Sequence, residues 1–254
     1  MKVSIITVVL NNKDYIEGAI KSVQEQTHKD IEHIVVDNDS CDGTSNIIKR
    51  HMHGISRYIC EPDQGVYFAI NKGLKIATGD IIGILHSDDI YADENILKDI
   101  VAAFEKSGAD CVYGDLVYVK RQDPNAVVRY WRADEGDRAK ISQGWMPPHP
   151  TFFVRRSVYE KYGYFNADFK ISADYEIILR FLYMHRLSMY YLHRMCVKMR
   201  IGGISNRSIF SLLRKIYEDY TICKMYGIRK ARCAVILKNL RKIPQFIVKY
   251  KNTT

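Results

Sequence analysis

Two adjacent carboxylates, Asp88 and Asp89, follow the apolar run Ile81-Ile82-Gly83-Ile84-Leu85 across only His86 and Ser87. So short and apolar a run reads as a strand buried on both faces, of the kind found inside a parallel sheet. Ligands of such sheets bind just beyond the carboxyl ends of the strands. Two acids set side by side there repel each other unless a cation or hydrogen-bond donors offset the charge. Their hard oxygens suit Mg2+ or Mn2+, and a metal there could hold a diphosphate. The other reading is that Asp88 only caps the next helix, the commoner role of an isolated Asp-Asp pair. A further acid, Asp174, lies two residues after Ser172, which can cap a helix expected from Ser172 to His185. The helix dipole favours its charged form. Such a carboxylate either accepts a proton from a substrate hydroxyl or merely complements the dipole.

The elements that must position these acids alternate in the first third of the chain, as in βαβ units of an α/β fold. Strands are expected at Val3–Leu10, Ile31–Val36, Arg57–Cys60, 80–85 and Asp110–Tyr113. Helices are expected at Asp14–Gln26, from Gly43 to about His51, from about Val66 to Ala77, and at Asn95–Lys106. Three strands thus end in polar or acidic residues on one sheet edge. From Leu116 to Phe169 aromatic and turn residues replace clear helical period. Within that stretch Gly144-Trp145-Met146-Pro147-Pro148-His149-Pro150 is a rigid loop before a strand at Thr151–Val154. Gly202-Gly203 marks a hinge or turn, and 208–250 read as two or three basic amphipathic helices.

A chain of 254 residues holds one large α/β domain or two small ones, and its composition is that of an ordinary soluble protein. Six cysteines, at 41, 60, 111, 196, 223 and 233, form no Cys-x-x-Cys pair. They fit reduced thiols of a cytoplasmic protein better than a disulfide framework or a zinc site. No stretch approaches the ~18 apolar residues needed to cross a bilayer, and the apolar N-terminal run is too short for a signal peptide. The net charge of +9 is unevenly placed. From Arg207 onward stand twelve Lys/Arg and two Asp/Glu, so the first 206 residues carry a net charge of −1.

Several segments are familiar together. They are Ser4-Ile5-Ile6-Thr7 with Asn11, the stretch Val-Val-Asp-Asn-Asp-Ser-Cys-Asp-Gly-Thr at 35–44, and Glu61-Pro62-Asp63-Gln64-Gly65-Val66-Tyr67. Asn71-Lys72-Gly73, Ala77-Thr78-Gly79-Asp80, Ser87-Asp88-Asp89 and Ala173-Asp174-Tyr175-Glu176 complete the set. In this order the chain resembles a family 2 glycosyltransferase with the GT-A fold, a Rossmann-like mixed sheet flanked by helices, over about residues 1 to 185. The loop before His149 and the segment after it look like the branch that extends bacterial O-antigen or capsule repeat units.

The resemblance implies a donor-binding half (1–115) and an acceptor-binding half (116–206) of one catalytic domain, followed by the basic helical tail 207–254. It implies that Asp89 binds Mn2+ or Mg2+ on the donor diphosphate, while Asp88 contacts ribose or a metal-bound water. Thr7, Val8, Asn11, Asp37, Asn38 and Asp39 would sit around base and ribose, with the uracil contact open among the residues at 37–39. The stretch with Asp63, Gly65, Tyr67, Asn71 and Lys72 would pass the donor sugar and diphosphate. Asp174 becomes the general base. Trp145 would stack on the acceptor sugar or pack the loop, and His149 would reach the metal or diphosphate or make a loop hydrogen bond. His86 reads as strand-end packing. Arg200 would swing onto the diphosphate as part of a lid, or remain a solvated arginine.

The tail shows an apolar stripe of Ile209, Phe210, Leu213, Ile216, Tyr217 and Tyr220, with Arg214, Lys215 and Lys224 around it. Such helices lie on anionic membrane, or pack on the catalytic domain with their charges solvated. The expectation is therefore an inverting, metal-dependent transferase. It moves a hexose from UDP-glucose or UDP-galactose to a sugar on a lipid diphosphate of the undecaprenyl kind, at the inner face of the plasma membrane, through a β1,3 bond. A processive synthase lacks support, since neither membrane spans nor a Gln-x-x-Arg-Trp motif occurs. A nucleic-acid-binding module has no need for acids at 88, 89 and 174, so no nucleic-acid partner is expected.

Overall fold

The computed structural model describes residues 1–202 and 209–246. Gly203 of the expected hinge, the side chain of Ile209 and the end of the expected helical tail at 247–250 lie outside the described residues.

A nine-stranded mixed sheet forms the centre of the molecule. Strand β1 (Val3–Val9) is buried along its whole length, as its apolar run requires. It pairs in parallel with β2 (Ile31–Asp37) on one side and β4 (Ile81–Ile84) on the other. Beyond β2 lies the parallel edge strand β3 (Arg57–Cys60). Helices α1 (Ile16–Gln24), α2 (Thr44–Arg50) and α3 (Val66–Ile76) make the crossovers. In β1 the alternation divides the core. Ile6 and Val8 pack in the cluster that holds Ala69, Ile70 and Leu74 of α3, whereas Val3 and Ile5 pack on the opposite face.

The second half extends the sheet antiparallel. Strand β8 (Phe153–Arg155) joins β4 to β6 (Cys111–Val119), and the long β9 (Met189–Arg200) runs parallel to β6. Strands β5 (Ile90–Tyr91) and β7 (Val127–Trp131) pair with β9 and β6. Helix α4 (Ile96–Ser107) covers one face, and α5 (Arg138–Ser142) and α6 (Arg156–Tyr162) lie on the second half. The helix expected from Ser172 is shorter than its apolar stripe suggested. Helix α7 (Ala173–Ile178) passes at Leu179 into π geometry that ends at Met184.

The basic tail folds as α8 (Ile209–Met225) and α9 (Ala231–Leu240). Ile222, Cys223, Ile228, Ala231, Ala234 and Val235 share one buried cluster with Tyr175, Phe181 and Ile6. The apolar inner face of these helices therefore belongs to the same core as α7 and the sheet. All six cysteines are free. Among the described residues no helix is long and apolar enough to cross a membrane.

Candidate active site

The parallel strands β1, β2 and β4 end at one edge, and a cavity of about 740 Å3 opens there. Its walls come from those strand ends, from the N-terminal half of α3, and from the loops that lead into β8 and α7. Gly65 caps α3 with φ +142°, a conformation that admits glycine far more readily than other residues.

Of the expected donor residues, Val8, Asn11, Asn38, Gly65, Tyr67 and Asp88 line the cavity. Asn38 is the residue of 37–39 that does so. Asp37 does not: it is fully buried, and its carboxylate accepts hydrogen bonds from Ser40, Ser45 and Tyr58. That saturated carboxylate stitches β2 to β3 and leaves no oxygen for a base. Asp39 is exposed outside the cavity, with φ 52°. Thr7 points to the other face of the sheet, 3.0 Å from His33 Nε2. Asp63 and Glu61 both pair with Lys72 at 2.6 Å, and the Asp63 amide donates to Asn38. These ion pairs hold the loop before α3. Asn71 binds both main-chain atoms of Phe165, at 2.8 and 2.9 Å, and so ties α3 to the loop ahead of α7.

The acid pair is divided by the turn that carries it. Asp88 faces the cavity, with Arg121 Nη1 at 3.9 Å from its carboxylate. Asp89 turns inward and is 1% exposed. One of its oxygens accepts the Arg200 amide at 3.3 Å, and the other finds no partner among the described residues. Burial, reinforced by the charge of Asp88, pushes the Asp89 carboxyl well above the usual carboxylate range. Asp88 thus faces the cavity, whereas Asp89 is turned into the protein behind it. Arg200 does not line the cavity here. Its guanidinium donates to the carbonyls of Asp88 and Arg121, at 2.6 and 3.0 Å, and lies over the Tyr15 ring.

Asp174 lines the same cavity beside His149, with Oδ2 3.3 Å from Nδ1. Burial alone would raise the Asp174 pKa. The positive field of His149, Lys238 and Lys215, with the Tyr175 amide, outweighs it and holds Asp174 below the usual range. Burial lowers His149 to about 4. At neutral pH the imidazole is therefore uncharged, and the two lysines supply the field. His86, edge-on to His149 with ring centres 5.8 Å apart, also lines the cavity. Trp145 does not reach it. The indole is buried, donates to the Ala133 carbonyl at 3.1 Å and meets Tyr113 edge-on, so it packs the loop.

Sequence reasoning missed Asn12, Ser87, Arg121, Phe165 and Lys170 as cavity residues. Asn12 stands beside Asn11 and donates to Ser87 at 2.8 Å, a pairing that the polar ends of β1 and β4 foreshadow. Nothing near Arg121 in the chain signals its place, which comes from the fold of β6 against β9.

Residues 4–163 match the glycosyl transferase family 2 domain. The chain belongs to that family. It is 30% identical over 188 residues to an uncharacterized glycosyltransferase of Mycobacterium tuberculosis, covering 70% of this chain and 68% of that protein. To a PGL/p-HBAD biosynthesis glycosyltransferase of the same species it is 29% identical over 210 residues, or 80% of this chain and 78% of the relative. Among solved structures, S. aureus TarS in complex with UDP-GlcNAc superimposes with a TM-score of 0.69 at 19% identity, over 97% of this chain and 79% of that one. The mannosyltransferase PcManGT of Pyrobaculum calidifontis, in complex with GDP-Man and Mn2+, gives 0.66 at 19% identity, over 97% and 73%. The match to TarS in complex with UDP spans 65% of that chain. The protein is a glycosyltransferase with the GT-A fold.

Proposed function

We propose that this enzyme transfers a hexose from a UDP-sugar to a sugar on a lipid diphosphate of the undecaprenyl kind, in bacterial surface polysaccharide synthesis, with inversion and through a β1,3 bond. One observation carries the reading. An ionised carboxylate, Asp174, and an acid suited to hold a metal, Asp88, line one cavity. Asp174 takes the proton of the acceptor hydroxyl while that oxygen attacks the anomeric carbon and the bond to the diphosphate breaks. A single displacement of this kind turns an α-linked donor into a β-glycoside. The Tyr175 amide donates to Asp174 Oδ1 at 2.8 Å and His149 stands beside Oδ2, while Asn38 and Val8 bound the space for the nucleoside.

Among the described residues no three His, Cys, Asp or Glu side chains come together as a closed metal cage. Mg2+ and Mn2+ need less when they bind with a diphosphate: one or two carboxylates and the phosphate oxygens suffice. Asp88 fits that donor set from the cavity, with His86 beside it. A cation held there would offset the charge that builds on the leaving diphosphate. The complexes of TarS with UDP-GlcNAc and of PcManGT with GDP-Man and Mn2+ support a nucleotide-sugar donor and Mn2+. The exposed basic face of α8 and α9 supports attachment to the cytoplasmic face of the membrane, where a lipid-linked acceptor is found.

Nucleoside diphosphate release from UDP-glucose, UDP-galactose and UDP-GlcNAc with Mn2+ and synthetic lipid-diphosphate acceptors tests the reading. Asp174→Asn is expected to lower kcat at least a thousandfold, within the range that general base catalysis contributes (~10²–10⁴-fold). Turnover near the wild-type rate would reject Asp174 as the base.

A further inference from the structure

Helix α7 brings Asp174 to the cavity but has no cap of its own. Ser172 stands at the capping position, yet its hydroxyl oxygen has no hydrogen-bond partner among the described residues. A side chain from the tail instead holds the residues just ahead of the helix. Glu218 of α8 is 5% exposed and accepts three consecutive main-chain amides: Lys170 at 3.1 Å, Ile171 at 2.9 Å and Ser172 at 2.9 Å. Arg214, one turn earlier on α8, donates to the same carboxylate at 3.0 Å. Successive amides that converge on one point form an anion-binding nest, and here the anion belongs to the protein. From the opposite side Tyr67 of α3 donates its hydroxyl to the Ile171 carbonyl at 2.8 Å. Segment 170–172 is therefore gripped by the tail and by the donor wall at once, two residues ahead of Asp174.

We infer that Glu218 is a positioning residue for the transfer reaction: through the 170–172 amides it fixes the approach of Asp174 to the acceptor hydroxyl, which makes the tail a working part of the active site. This rests on Asp174 being the general base. The argument is one of tolerance. Displacement of a catalytic group by about 1 Å can cost on the order of a hundredfold in rate. Three charge-assisted hydrogen bonds to the main chain restrict the segment far more than one capping hydroxyl would. The helix that carries Glu218 is itself anchored, since Asp219, Ile222 and Cys223 are buried beside it and Asp219 pairs with Lys238 at 2.7 Å.

Glu218→Gln keeps the shape but loses the charge, and sets an amide N–H against a main-chain donor. Three measurements on the full chain decide the matter. In hydrogen exchange, the amides of 170–172 should exchange at least tenfold faster in the variant, with β1 and β2 unchanged. In the nucleotide-sugar assay kcat should fall about tenfold to a hundredfold, while the Kd for UDP with Mn2+ stays within twofold. Built on Asp174→Asn, the same substitution should cost no further rate, because its effect passes through the group already removed. An equal loss in both backgrounds, or unchanged exchange, would overturn the inference. Wild-type turnover by Asp174→Asn would instead overturn the base assignment, a distinguishable result. Should Glu218→Gln not fold, Glu218→Asp, which keeps the charge on a shorter stem, carries the same measurements.

Discussion

A single rotation of the turn at 86–89 separates two acids that look interchangeable in the chain, and the consequence is testable residue by residue. Asp88 faces the cavity while Asp89 is buried against the Arg200 amide. Because burial favours the neutral acid at 89, an isosteric amide there loses little charge and can still accept that hydrogen bond. At 88 the same change removes the anionic oxygens proposed to hold a cation. Asp88→Asn is thus expected to weaken Mn2+-dependent UDP binding by calorimetry at least tenfold, and Asp89→Asn to leave it within about threefold. The reverse order would restore the sequence-derived assignment. The residue types of the site were legible in the chain, because acids and amides after apolar runs mark strand ends at a sheet edge. Which of two neighbours points inward was not. That depends on contacts from β9, 111 residues further along for the Arg200 amide.

Among the elements, α3 shows how close packing sets the donor wall. A Cβ at Gly73 would lie 2.6 Å from Ile6 Cγ2, so the glycine allows the helix to lie directly on β1. Alanine in a helix interior is worth up to ~1 kcal/mol over glycine, whereas overpacking a well-filled core costs ~1–3 kcal/mol. Ile6 is fully buried in a central strand and has nowhere to move, so the second effect should win. Gly73→Ala is expected to lower stability by about 1–2 kcal/mol in urea denaturation. Combined with Ile6→Ala, it should cost less than the sum of the two single changes. An additive pair would show that the contact is not the cause. The parallel half was readable from the chain, since each of its buried strands is a short apolar run followed by a segment of helical period. The second half was legible only in part: β6 and β8 were anticipated at Asp110–Tyr113 and Thr151–Val154, but β9 mixes polar and aromatic residues and finds β6 across a long sequence separation. Helix α7 was read as fourteen residues with a Ser172 cap; its stripe continues into the π segment, the Ser172 hydroxyl makes no cap, and Glu218 holds the amides of 170–172 ahead of it.

For the whole molecule, two neutral imidazoles contribute to the loss of stability in acid, alongside carboxylates such as Glu32 and Asp174 that are held below the usual range. Burial lowers His33 to about 4, as it does His149, from ordinary values of 6.5. Between pH 4 and 6.5 the unfolded chain therefore binds more protons than the folded one, so stability rises with pH through that window and is lost as pH falls. Each histidine contributes up to ~3 kcal/mol across it, at about 1.4 kcal/mol per pH unit. His33→Gln should accordingly flatten the pH dependence of the urea midpoint by about one proton; an unchanged slope would mean that His33 is charged in the fold. The tail adds a second global property. Its inner face is packed, but Phe210 and Tyr217 are 84% and 70% exposed, and Lys224, Arg229, Lys230 and Arg232 are exposed on the same helical pair or its connecting turn. Apolar rings with cations around them suit an anionic bilayer, where each basic residue adds ~1 kcal/mol, about fivefold in partition. Truncation after Gly203 would also strip Ile222, Cys223 and Glu218 from the core, so surface variants give the cleaner test. Lys224→Gln with Arg229→Gln should lower sedimentation with phosphatidylglycerol vesicles about 25-fold at low salt. Phe210→Ser with Tyr217→Ser should lower it on vesicles of any charge. Equal binding of the wild type to neutral phosphatidylcholine vesicles, or none to either kind, would leave the basic face without a membrane role.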